Sequence, residues 1–285
     1  MAGKNYSPLR YPGGKNKLSK YVTKLLEHNN LLNGTYIEPY AGGAAVALYL
    51  LIDGHVNNII INDIDRSIYA FWHSVLYKTE ALCNLIRETH INMDIWSEFK
   101  EMQKNKENVP LLELGFSTLF LNRTNRSGII SAGVIGGKNQ NGNYKMDCRF
   151  NKNQLIEKIQ LISTFRDNIQ LYNLDTIELI NNVINNLENE SFIFFDPPYY
   201  KKGSTLYVNS YKHEDHIELM NCISNINNHK WIVTYDNVEQ ISDIYSDFRS
   251  VTYSLKYTAE KKYFGSEIMI FSDNINLTDN LLNIV

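Results

Sequence analysis

Cysteine is scarce. Cys83, Cys148 and Cys222 lie scattered through 285 residues with no C-x-x-C pair and few histidines nearby. That spacing argues against a disulfide framework and against a zinc site, so reduced thiols and no bound metal are expected. Long apolar runs are lacking too. The longest, Ala44–Ile52, is far too short to cross a bilayer. The first thirty residues are basic and polar and lack the apolar stretch of a secretion signal. A soluble, cytoplasmic protein with no membrane partner is expected. There is no internal repeat and no low-complexity tail. Overall charge is nearly balanced, at -3, which by itself argues against a nucleic-acid partner, but the distribution reverses that inference. Residues 1–26 carry Lys4, Arg10, Lys15, Lys17, Lys20 and Lys24 with no acid. Residues 121–152 carry Arg123, Arg126, Lys138, Lys145, Arg149 and Lys152 against Asp147 alone. Positive charge is thus gathered in two stretches of an otherwise acidic chain, the electrostatic footprint of a polyanion binder.

What is present is enough apolar residue, 44% of the chain, for one sizeable core and a smaller second module. Short runs rich in Ile, Phe, Tyr and Val alternate with helix-length segments, the pattern of an α/β fold with a parallel sheet. Strands are predicted at 35–38, 59–62, 169–172, 192–195, 231–235 and 267–271. Helices follow at 44–52, 66–77, 176–185, 214–226 and 238–245. Between the second and third strands the alternation stops for roughly ninety residues, too long for an ordinary connection, so an inserted module is expected. It reads as helical at 78–89, 93–103, 111–120 and 152–162. Its Gly- and Asn-rich part, 125–143, carries a type I′ hairpin signal at Asn141-Gly142.

Two places carry chemistry. The run Phe192-Ile193-Phe194-Phe195-Asp196-Pro197-Pro198-Tyr199 is an apolar strand ending in a carboxylate, two prolines and an aromatic ring. An exocyclic aromatic amine is a poor nucleophile, because its lone pair is delocalised into the ring. An enzyme acting on one must accept its hydrogen bonds and stabilise the positive charge that develops on it. Asp196 supplies one acceptor. The paired prolines favour extended backbone, which lets the Pro197 carbonyl supply a second. Tyr199 offers a face on which a base can stack, the ring mattering more than the hydroxyl. The other place is Thr35-Tyr36-Ile37-Glu38-Pro39-Tyr40-Ala41-Gly42-Gly43, a strand opening through glycines into a helix. It does not match G-x-G-x-x-G, which argues against a nicotinamide or flavin. The next strand ends in Asn62-Asp63, a carboxylate where a ribose diol needs an acceptor, so a nucleoside-containing ligand is expected. Near the start, Arg10-Tyr11-Pro12-Gly13-Gly14-Lys15-Asn16 fails as a phosphate loop, since Leu9 and Asn16 stand where that loop needs Gly and Ser or Thr.

Taken in order, RYPGGK, IEPYAGG, NDID, LNRTNRSG, FNKNQL, NLD and FFDPPY resemble the Dam-type, alpha-class N6-adenine-specific DNA methyltransferases, over residues 7 to about 272. The resemblance implies a Rossmann-like sheet that binds S-adenosylmethionine, with an inserted, mainly helical target-recognition domain carrying a β-hairpin. Residues 1–79 and 166–285 are then the catalytic domain and 80–165 the recognition domain. By the same carry-over Tyr11, Pro12, Gly13 and Lys15 line the cofactor pocket with Glu38, Tyr40, Ala41 and Gly42. Asp63 holds the ribose and Asp175 the adenine, although Asp175 also sits where a helix N-cap belongs. Asp196, Pro197 and Tyr199 match the family's catalytic motif. In the insertion, Asn122, Arg123, Asn125 and Arg126 are residue types that read base edges, and Lys138, Lys145 and Arg149 suit phosphates. The stretch Thr124-Asn125-Arg126-Ser127-Gly128 departs from the family's GATC-reading members. The expected reaction moves a methyl group to the N6 amine of a flipped adenine in double-stranded DNA, within a restriction-modification setting. Methylation of RNA or of a protein glutamine is the rival, as is a DNA-binding relative without activity.

Overall fold

The computed structural model describes residues 4–10, 15–201, 211–258 and 262–282. In chain order its first elements are α1 (Ser19–His28), β1 (Thr35–Glu38), α2 (Ala45–Ile52) and β2 (Asn58–Asn62). Five helices follow: α3 (Arg66–Tyr77), α4 (Thr79–Glu88), α5 (Met93–Lys104), α6 (Leu111–Thr124) and α7 (Lys152–Ser163). The alternation then resumes with β3 (Ile169–Tyr172), α8 (Thr176–Asn182), β4 (Ser191–Phe195), α9 (His213–Ser224), β5 (Lys230–Asp236) and α10 (Glu239–Ile244). It closes with β6 (Arg249–Thr258), β7 (Lys262–Phe271) and α11 (Asp279–Leu282). These elements form two compact units, one from Lys15–Ile64 and Asn168–Val285, the other from Asn5–Gly14 and Asp65–Asp167.

The first unit is a seven-stranded Rossmann-like α/β sheet in the order β3-β2-β1-β4-β5-β7-β6. Its first five strands are parallel, while β7 runs antiparallel to both β5 and β6. All five residues of β4 are buried, as a central parallel strand covered on both faces requires, and this is why it reads as an unbroken apolar run. Ile37, Ile193, Phe195, Trp231 and Val233 from the strands pack with Leu179 of α8, Leu219 and Ile223 of α9 and Ile241 of α10. Chain order reverses at β1, which lies between β2 and β4. The crevice outside the carboxyl ends of these strands is where an open α/β sheet takes its ligand. The seventh strand, β6, alternates buried Tyr253 with exposed Thr252 and Ser254. It has no apolar run to announce it.

The second unit is helical. Asp65 caps α3 by accepting a hydrogen bond from the Ser67 amide, and Asn92 and Asn151 cap α5 and α7 in the same way. The core packs Phe99 of α5 edge-to-face against Phe116 and Phe120 of α6, and Phe120 at a tilt against Phe150, with ring centroids 5.5, 5.0 and 5.6 Å apart. The expected β-hairpin at Asn141-Gly142 is not formed. Residues 125–150 hold turns, two short 3-10 helices and one isolated bridge, Asn125 to Val134. A type I′ turn needs positive φ at both central residues. Here positive φ falls on Gly136, Gly137 and Gln140, and on neither Asn141 nor Gly142. The Gln140 side chain explains the difference. It donates to the Ile135 and Gly137 carbonyls at 2.8 and 2.7 Å and accepts from the Met146 amide at 2.9 Å, winding the segment around itself.

Candidate active site

β4 delivers Asp196 to the carboxyl edge of the sheet. One carboxylate oxygen, Oδ1, accepts from the Thr234 hydroxyl on β5 at 2.7 Å and lies 3.3 Å from Lys15 Nζ. No described residue bonds the other oxygen, Oδ2, and a quarter of the side chain remains exposed. Burial raises the Asp196 carboxyl above the usual carboxylate range. Lys15 pulls it down, Glu267 pushes it further up, and the Thr234 hydrogen bond lowers it. Pro197 is buried. The loop beyond is clamped by Asp236 at the end of β5, whose two oxygens accept from the Tyr200 and Lys201 amides at 2.9 and 3.1 Å.

Tyr199 is more tightly held than a free stacking face would be. Its hydroxyl donates to Glu267 and accepts from Lys15 Nζ, which also sits 5.0 Å from the ring centroid. Glu267 is 1% exposed. Its carboxylate accepts from Lys15 at 2.9 Å and from the Tyr253 hydroxyl at 2.6 Å. Antiparallel register accounts for the arrangement: β7 sets Glu267 opposite Asp236 of β5 on one side and opposite Tyr253 of β6 on the other. Lys15, expected among the cofactor residues, therefore bonds the residues around Asp196. Tyr11, Pro12 and Gly13, expected beside it, lie outside the described residues. Thr234, Tyr253 and Glu267 belong to no sequence motif. Glu267 opens the predicted strand 267–271, and its role becomes visible only through the strand register.

The second cluster lies at the ends of β1, β2 and β3. The glycine turn after β1 takes left-handed backbone at Gly42, φ 45°, and again at Ala44, φ 45°. Glycine enters that region without the steric cost a side chain imposes. The Gly42 amide donates to Asp63 Oδ2 at 2.9 Å, so Asp63 orders the turn. Ala41 bonds the end of β2 through its amide, 2.9 Å from the Asn62 carbonyl. The Asn62 amide donates to the Pro39 and Leu174 carbonyls at 2.9 and 3.1 Å and accepts from the Leu174 amide at 2.9 Å, tying three strand ends together. Tyr40 meets Tyr211, hydroxyl to hydroxyl, at 2.9 Å. Glu38 is buried, accepting from the Ala47 amide at 3.0 Å and the Tyr36 hydroxyl at 3.1 Å. Burial outweighs these two bonds and raises its carboxyl to about 8. Asp175 is the N-cap of α8, accepting from the Ile177 amide at 2.8 Å. The acidic residues Glu38, Asp63 and Asp175 thus stand at the ends of three adjacent strands. Their oxygens are hydrogen-bond acceptors, of the kind that the hydroxyl and amine donors of a polar ligand require. Among the described residues no three His, Cys, Asp or Glu side chains gather as a metal site would require.

In the second unit the structure separates the candidate DNA-reading residues. Asn122 is buried and holds both backbone groups of Arg10, accepting from its amide at 2.7 Å and donating to its carbonyl at 2.8 Å. It also donates to the Gly128 carbonyl at 2.8 Å. Gly128, at φ 78°, lies so near this segment that a Cβ there would fall 2.2 Å from the Arg10 carbonyl oxygen. Arg123 donates to the Pro8 carbonyl, from Nε at 2.7 Å. Burial lowers its guanidinium to about 10, with Arg10 and Arg149 adding repulsion. Asn125 is fully buried, accepting from Trp96 Nε1 at 2.7 Å and donating to the Ile129 and Ile130 carbonyls at 3.1 and 2.9 Å. Arg126, Lys138 and Arg149 are exposed, and their side chains make no hydrogen bond to the described residues. Lys145 is exposed and bonds the Gln140 carbonyl.

Residues 11–260 match the family model described as D12 class N6 adenine-specific DNA methyltransferase. The chain is 26% identical over 222 residues, 73% of each chain, to the type II methyltransferase M.MjaIII of Methanocaldococcus jannaschii. It is 24% identical over 225 residues, 78% of this chain and 81% of the relative, to the type II methyltransferase M.CviBI of Paramecium bursaria Chlorella virus NC1A. Among solved structures, the rRNA methyltransferase aviRa from Streptomyces viridochromogenes aligns over 90% of this chain and 84% of its own, with a TM-score of 0.39 and 11% identity.

Proposed function

The chain belongs to the D12 class N6 adenine-specific DNA methyltransferase family, and from that premise we propose that it uses S-adenosylmethionine to methylate N6 of an adenine swung out of duplex DNA. The observation that carries the assignment of the chemistry is the unequal treatment of the two Asp196 oxygens. Oδ1 is fixed by Thr234 and Lys15. Oδ2, without a partner among the described residues, would accept a hydrogen bond from the target amine. That bond draws electron density onto N6 and stabilises the positive charge that develops there, as the Pro197 carbonyl does in its turn. Tyr199, oriented by its hydroxyl on Glu267, presents its ring to the extruded base. Unstacking costs a few kcal/mol, and stacking on the ring offsets part of it.

When bound, S-adenosylmethionine supplies an electrophilic methyl group on a sulfonium sulfur. Asp63 and the Gly42 turn would hold its ribose and Asp175 its adenine, with Glu38, Tyr40 and Ala41 lining the site. The unit Asn5–Gly14 and Asp65–Asp167 would recognise DNA. Arg126 is its candidate base reader, because a planar guanidinium can bond guanine twice, and Lys138, Lys145 and Arg149 would meet phosphates. Asn122, Arg123 and Asn125 hold the fold of that unit. As with the two type II relatives, a restriction-modification setting is proposed. The test is to express the protein in a host without adenine methylation and sequence its DNA with detection of modified bases. Modified adenine at one short recurring motif is expected. DNA that stays unmodified, or modification on RNA alone, would contradict the reading.

A further inference from the structure

We infer that Glu267 is a positioning residue for the transfer, one that shares the Lys15 ammonium with Asp196 so that Asp196 is held by one oxygen and presents the other. This rests on the assignment of Asp196 to the target amine. Lys15 Nζ stands 2.9 Å from Glu267 Oε2 and 3.3 Å from Asp196 Oδ1, so the ammonium leans toward Glu267. Two tyrosine hydroxyls, from Tyr199 and Tyr253, complete the Glu267 carboxylate. Burying this acid is costly unless its partners compensate it, and here three donors converge on it. Nothing in the sheet's packing requires an acid there. The neighbouring inward position on β7, Met269, is filled by an apolar side chain and is fully buried.

The arrangement solves a problem that Asp196 meets alone. A buried carboxyl with no cation takes up a proton, and one locked in its own ion pair is a weak acceptor. The groups facing Asp196 are Lys15, Glu267 on β7, Glu38 and Tyr36 on β1, Tyr253 on β6 and Thr234 on β5. Of these, Lys15 is the one cation; it lowers the Asp196 carboxyl, as the Thr234 hydrogen bond also does, while Glu267 raises it. Removing the cation should move the Asp196 titration to higher pH. Removing the Glu267 charge should move it to lower pH and let Lys15 close on Asp196.

The experiment titrates the Asp196 carboxyl directly, by carbon-13 NMR of protein labelled at the aspartate side chain, assigned with Asp196→Asn. It needs neither cofactor nor DNA. Lys15→Met is expected to raise the midpoint and Glu267→Gln to lower it. Tyr253→Phe, which deletes a hydrogen bond to Glu267 but no charge, is expected to leave it near the wild-type value. A midpoint unmoved in both charge variants, or moved equally by Tyr253→Phe, overturns the inference. Should Glu267→Gln not fold, Lys15→Met decides alone, and an unmoved or lowered midpoint there overturns it. Single-turnover transfer from methyl-labelled S-adenosylmethionine to unmethylated duplex DNA follows. The acid limb of its pH profile is expected to shift with each NMR midpoint. A wild-type protein that transfers no methyl contradicts the proposed function and leaves the NMR result standing. Transfer whose acid limb ignores both substitutions overturns the inference alone.

Discussion

The loop after β4 and the last turn of α6 with the loop that follows it both carry polar side chains of the kinds that do chemistry on nucleic acids, and they use them in opposite ways. Asp196 keeps one oxygen without a partner among the described residues. Asn122 and Asn125 each make three hydrogen bonds within their own unit. An amide whose donors and acceptor are already matched gains nothing by meeting a base edge, because it must first break bonds of equal worth. Partner count, more than residue type, separates a side chain that builds a loop from one that meets a ligand.

Substitutions sharpen this contrast. The largest effect is expected at Asp196. Asp196→Ala should lower methyl transfer by about 100-fold or more while calorimetry finds cofactor affinity nearly unchanged. A parallel loss of affinity would move Asp196 into the cofactor site. Next comes Asn125→Ala, which strands the buried Trp96 N–H and two carbonyls. Denaturant unfolding should show a stability loss of roughly 2–3 kcal/mol, with the preference among DNA sequences kept. Altered sequence preference at full stability would break the comparison. Arg126→Ala should do the reverse, leaving the unfolding midpoint in place and relaxing discrimination at one base pair by roughly 1–3 kcal/mol. A uniform affinity loss across single-base variants would make Arg126 a phosphate contact.

The smallest effect is a slope. Glu38 has its carboxyl raised from 4.5 to about 8 by burial. An acid raised by folding contributes stability that is complete below its unfolded value and is lost as pH rises through the folded one. Glu38→Gln, which keeps an oxygen for the Ala47 amide, should therefore gain on the wild type between pH 5 and pH 8 in thermal melts. A constant gap across that range would show that Glu38 does not titrate there.

Much of the sheet was legible because a parallel strand covered on both faces writes itself as an apolar run, and its chemistry follows at the carboxyl end. β1 and β3 fall on the predicted residues, and Asp196 and Asp63 follow β4 and β2 as expected. α3 falls on its predicted residues, 66–77, and the structure adds Asp65 as the cap of its first turn. What stayed hidden depends on contacts distant in sequence. Glu267 gains meaning from the antiparallel pairing that sets it against Asp236 and Tyr253. Asn122 and Asn125 read as base contacts until the segment carrying Arg10 and the Trp96 indole consume them. Asn141-Gly142 promised a hairpin, and a glutamine one residue upstream redirected the chain through three backbone bonds.

The most direct test of the account reads the product. Purified protein is incubated with S-adenosylmethionine carrying a deuterated methyl group and unmethylated duplex DNA, and the nucleosides are resolved by mass spectrometry. The heavy methyl is expected on N6 of adenine with wild-type protein and is expected to be lost with Asp196→Ala. The heavy methyl on cytosine N4, or undiminished adenine methylation by Asp196→Ala, would contradict the account.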